Sequence, residues 1–69
     1  MRFRKLLRAA GLTLIDAARK AGVSKQTVHN WRQHPATATA GRLSELARVL
    51  GVTVDELLRV LREDAKHAA

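Results

Sequence analysis

Residues 21–33, "AGVSKQTVHNWRQ", decide how this chain folds and what it presents to a partner. Gly22 ends one helix, because glycine accepts the left-handed conformation that closes helices. Ser24 begins the next, its hydroxyl able to accept from a free amide of the first turn. Val23 and Val28 have the spacing of a hydrophobic staple, which sets the entry angle of the chain. Between Lys25 and Gln33, Val28 and Trp31 lie three apart and define an inner side. At about 100° per residue, Gln26, His29, Asn30 and Gln33 gather on the other side, with Lys25 at its edge. That side offers amides, an imidazole and an ammonium, and no carboxylate.

Working outward, periodicity and stop signals predict four more helices, giving spans of about 2–10, 14–21, 25–33, 40–50 and 54–65. Phe3, Leu6, Leu7 and Ala10 form the stripe of the first, which Gly11 ends. Thr13 caps the second, with Asp16 at the capping-box position. Its inward residues Ala17, Ala18 and Ala21 are all small and leave room for Trp31. "HPATATAG" (34–41) reads as a loop, with Thr39 capping the fourth helix on Leu43, Leu46, Ala47 and Leu50. Thr53 and Glu56 open the fifth, whose expected buried stripe is Val54, Leu57, Leu58, Leu61 and Ala65. The tail "EDAKHAA" (63–69) is expected to fray. No strand-like alternation occurs, so the expected fold is all-α, one compact five-helix domain over 1–69.

A chain of 69 residues has room for one small core, and with no cysteine it has neither disulfide nor thiolate metal site to support it. His29, His34 and His67 lack the spacing of a metal site, and no cofactor or small-molecule ligand is expected. The basic opening "MRFRKLLRAAGLTLIDAA" superficially resembles a targeting segment, but Arg8 and Asp16 interrupt it and it makes a good first helix. No run is long enough for a membrane span, and the expected location is cytoplasmic, at the nucleoid. The net charge of +7 is unevenly placed. Residues 1–42 hold nine Lys or Arg against one acid, Asp16, and no carboxylate lies between Asp16 and Glu45. A one-sided field of this kind favours a polyanion, with nucleic acid ahead of an anionic membrane.

"AGVS" (21–24) is too short for an antiparallel hairpin and suits a sharp corner between two helices. That is the helix-turn-helix arrangement, whose second helix enters the major groove of DNA. Gln and Asn tips combine a donor with an acceptor and match adenine; Lys donates to guanine, and His serves either way. A carboxylate there would be repelled by phosphate.

Two blocks in register carry a more specific resemblance: "LTLIDAARKAGVSKQTVHNW" (12–31) and "GRLSELARVLGVTVDELL" (41–58). The chain resembles the lambda Cro/repressor (XRE-like) family of helix-turn-helix transcription regulators over about residues 3–61. The resemblance implies base reading by Lys25, Gln26, His29 and Asn30, with Thr27 and Gln33 nearer to phosphate or flanking bases. Ser24 and the amides behind it are expected to hold a phosphate through the helix dipole. Arg19 and Lys20 are further candidates for the DNA backbone. The chain departs from the family pattern at Leu14, where Gln is usual, at Arg32, where Glu is usual, and at His34 and Ala38, where Gly and Pro are usual. Arg32 is expected to supply a backbone contact in place of the missing Gln.

Trp31 is read as core, and Thr13, Ser24, Thr39 and Thr53 as caps and not as nucleophiles. Arg2, Arg4, Lys5 and Arg8 read equally as a solvated face or as sequence-independent attraction for DNA. Val49 and Val60 fall off the main stripes and are the candidate patch for a homodimer on a palindromic site. The leading expectation is a Cro-like repressor of double-stranded DNA. The alternatives are an antitoxin-type interaction module that also binds its own operator, and a membrane-surface helix protein. Nothing supports an enzyme: there are no paired acids, no nucleophile with a base and no phosphate loop.

Overall fold

In a computed structural model, which describes residues 2–68, the chain forms five α-helices and one short turn of 3-10 helix. The helices are α1 (Arg2–Ala10), α2 (Leu14–Ala21), α3 (Lys25–Gln33), α4 (Ala40–Leu50) and α5 (Val54–Ala68). The 3-10 turn, Pro35–Thr37, occupies the segment expected to be plain loop. No strand occurs among the described residues, and the all-α expectation is met.

Local chemistry sets most of the boundaries. The hydroxyls of Thr13, Ser24 and Thr53 each accept from the amide three residues on, at Asp16, Thr27 and Glu56. Thr39 stands at the cap position of α4 but makes no side-chain cap bond. At the corner between α2 and α3, Gly22 has φ 76°, a conformation costly for any residue with a Cβ. It lets the amides of Gly22 and Val23 turn back to the carbonyls of Arg19 and Ala18. Those bonds satisfy the last acceptors of α2 and aim the chain into α3.

One core joins all five helices. Phe3, Val28, Leu46, Leu57 and Leu61 are its largest fully buried side chains, with Ala17, Ala18 and Trp31 packed among them. The small residues of α2 and Trp31 are buried in the same core. α2 packs on α4 and α3, α3 on α5, and α1 on α4 and α5.

The fifth helix departs from expectation in two ways. Val54, Leu58 and Ala65 are half-buried and line an open groove with Pro35, Ala38 and Leu43. Leu57 and Leu61 are fully buried as expected, and Val60 and Asp64, outside the expected stripe, join them in deep burial. The cause is α1, which lies along α5 and covers that side. Val60 is therefore only 8% exposed and belongs to the core, so it cannot serve as half of a surface dimer patch. Val49 is half-buried and packs against the same core. The same contact explains why α5 continues through the segment expected to fray. Asp64 is 4% exposed, and its two carboxylate oxygens accept the amides of Arg2 and Phe3 at 3.0 and 3.1 Å. The helical part of the tail is anchored near its start, at Asp64; Ala69 lies outside the described residues.

Candidate nucleic-acid interface

The helix that decides the fold also forms the site. Val28 and Trp31 fix α3 against the core, which leaves Lys25, Gln26, His29, Asn30 and Gln33 exposed. Five of the seven α3 residues nominated from the sequence thus share one outward side, Thr27 is half-buried at its border, and Arg32 lies elsewhere.

Two features preorganise that side. Gln26 Nε2 donates to Asn30 Oδ1 at 3.1 Å, one turn further along. This bond leaves the Gln26 carbonyl and the Asn30 amino group free, an acceptor beside a donor, the pair that adenine's N6 and N7 require. At the helix start, Ser24 Oγ accepts from the Thr27 amide at 3.0 Å and exchanges a second bond, at 2.8 Å, with the Thr27 hydroxyl. Thr27 is thereby tied to the cap. The first turn of α3 holds no acid, so its unpaired amides and dipole are open to an anion such as phosphate. Arg19 and Lys20 are exposed in the last turn of α2, close to this corner in the chain.

Arg32 does not join them. Its side chain is 15% exposed, with a guanidinium nitrogen 4.0 Å from the Asp64 carboxylate. The guanidinium carbon sits over the Phe3 ring, 5.3 Å from its centre, within cation–π range. The expectation of a DNA-backbone contact therefore gives way to an internal role. The residue following Trp31 is carried toward α5 and the start of α1, where an anion waits. Sequence reading missed Asp64 entirely. Its signal was present: Asp64 falls seven residues after Leu57 and three after Leu61, in register with the most buried apolar positions of α5.

A short helix pair with a glycine corner, the second helix exposing amide and basic side chains over an apolar base, defines a helix-turn-helix protein. A family model described as helix-turn-helix matches residues 3–57. The chain belongs to that family, the XRE-type helix-turn-helix regulators, which bind DNA. No curated protein and no solved structure matches it significantly. Among the described residues, no helix is long and apolar enough to cross a membrane.

Proposed function

We propose that the chain is a Cro-like transcriptional repressor that reads a palindromic operator as a dimer, with α3 in the major groove. The supporting observation is the acid-free outer side of α3, where a bonded Gln26–Asn30 pair turns a free acceptor and a free donor outward. Lys25, Gln26, His29 and Asn30 contact bases in this reading. Thr27, Gln33, Ser24, Arg19 and Lys20 hold the backbone, and Arg32 acts by steadying the far end of α3. Two copies on one operator place their reading helices about 34 Å apart, one turn of DNA. With Val60 buried, the half-buried apolar groove of Leu58, Val54 and Ala65 is the better surface for self-association. Occupancy of a site overlapping a promoter excludes polymerase, and the protein concentration sets the response. Such a protein works at the nucleoid and needs no cofactor.

Selection from a random duplex library, followed by salt titration of the winning sequence, tests this. A palindromic or half-palindromic site should emerge, with log affinity falling by about 0.9 per contacted phosphate for each unit of log salt. Enrichment of no sequence, or affinity indifferent to salt, would rule the reading out.

A further inference from the structure

The outer side of α1 is a second basic surface, separate from the reading helix. Arg2, Arg4, Lys5 and Arg8 are all exposed, whereas Phe3 and Leu7 are buried. At about 100° per residue Phe3, Leu6 and Leu7 share one arc and the four cations the opposite one, so every charged side chain on the solvent side of the helix is a cation, with the exposed Ala9 and Ala10 adding no charge. No acid stands in its first turn, although the positive end of a helix dipole favours one. Arg2, Arg4 and Lys5 repel that dipole end. The missing anion is provided from elsewhere, by Asp64 of α5, which is buried beneath α1 and accepts the Arg2 and Phe3 amides. Capping from below frees the exposed side of α1 from any need for acid. Among the described residues, none of the four side chains forms an ion pair. Two carboxylates of α5, Glu63 and Asp64, border a depression with Arg2 and Lys5, and neither Arg4 nor Arg8 lines it.

Position separates this surface from the first. α1 packs on α4 and α5 and meets α3 through Phe3 and Arg32, at the end of α3 remote from Lys25. Arg32 lies seven helical steps, about 10 Å, from Lys25. Its occupant is a polyanion without fixed sequence, because arginine and lysine read phosphate charge and not base edges. A bilayer fits less well, since the apolar side of α1 is already spent in the core and has none left to insert.

We infer that the outer side of α1 binds the phosphate backbone of a second DNA duplex, so that one molecule bridges two DNA segments. This rests on a different face from the operator reading proposed above, and the two fail separately. The test compares the full chain with an R4Q/K5Q/R8Q variant, after circular dichroism has confirmed equal helicity. An immobilised duplex carrying the selected site is loaded with protein and then offered a fluorescent duplex of unrelated sequence, while gel shift follows the first duplex alone. The wild type should capture the second duplex, with capture falling as salt rises. The variant should lose capture at least about tenfold and keep first-duplex affinity within about threefold, since three removed charges lower the salt slope of the capture step by about 2 to 3. Undiminished capture by the variant would overturn the inference, as would an equal loss on both duplexes, which would place α1 against the operator's own flank. A wild type that captures no duplex but binds vesicles containing anionic lipid would overturn it in favour of a membrane. By contrast, Q26A/N30A should abolish the preference for the selected site and leave α1-dependent capture per loaded molecule unchanged; retained preference would sink the operator reading alone.

Discussion

Replacing Asp64 by alanine should cost far more than its position near the end of the chain suggests. The carboxylate holds the amide of Phe3, which is buried, and that of Arg2, which is partly so. Hydrogen bonds to charged groups contribute about 1.5–3 kcal/mol, and a buried donor left unpaired incurs its desolvation cost in full. Water can replace the carboxylate at Arg2 but not readily at Phe3, so the two bonds together amount to about 2.5–3 kcal/mol. Removing the anion beside Arg32 adds a further contribution, held to about 0.5–1 kcal/mol by the 4.0 Å separation and the residual solvent contact. The expected total is about 3–4 kcal/mol, a large part of the roughly 5 kcal/mol at the lower end for native domains.

Urea unfolding followed by far-ultraviolet circular dichroism and by the fluorescence of Trp31, the sole tryptophan, measures this directly. Asp64→Asn should cost about 2 kcal/mol, since one oxygen still accepts while the new amino group confronts the other amide. Arg32→Met should cost about 1 kcal/mol, since the methionine keeps contact with Phe3 and Asp64 keeps both amides. The double variant Arg32→Met/Asp64→Ala should be milder than the sum of its parts by about 0.5–1 kcal/mol. An Asp64→Ala midpoint corresponding to less than about 1 kcal/mol would refute the reasoning, because the two amides would then be satisfied without the carboxylate.

Three further outcomes are expected. Gln26→Ala should weaken the selected operator by about 1–3 kcal/mol and relax discrimination at one base position, read by competition against single-base variants. Arg19→Ala should weaken all duplexes alike and reduce the salt slope by about 0.9, measured by fluorescence anisotropy across a salt series. Gly22→Ala should lower stability by about 1 kcal/mol in urea unfolding, although space surrounds the missing Cβ, because φ 76° is strained for any side chain.

Local signals made the scaffold and the exposed polar side of α3 legible. Gly22, Gly51 and the hydroxyls of Thr13, Ser24 and Thr53 act within three or four residues of themselves, so their consequences can be read along the chain. The outer side of α3 follows from Val28 and Trp31 by helical spacing alone. What could not be read depends on which helix lies against which. Spacing gives α5 two adjacent apolar stripes, Val54–Leu58–Ala65 and Leu57–Val60–Leu61, and only the docking of α1 selects the second for deep burial. The exposed reading of Val60 failed for that reason, as did the outward reading of Arg32. Both errors trace to the contact of Asp64 with the first turn of α1, across a sequence separation of more than sixty residues.

That contact also bears on why the acids lie where they do. A chain that meets DNA through α2 and α3 gains from keeping carboxylates away from that half, yet the start of every helix needs an acceptor or an anion. α3 meets the need with the neutral hydroxyl of Ser24 alone, α2 with Thr13 and a single acid, Asp16, and α5, in the acidic half, with Thr53 and with Asp55 and Glu56 in its first turn. α1 has neither device in its own sequence: its first turn is basic, and no hydroxyl lies within it. Asp64 resolves the conflict by burial. Its carboxylate, 4% exposed, stabilises the start of α1 from within, and the Arg32 guanidinium offsets it there. The fold thus supplies an anion where the helix needs one while the exposed side of α1 carries no acid of its own, which no capping acid within α1 could achieve.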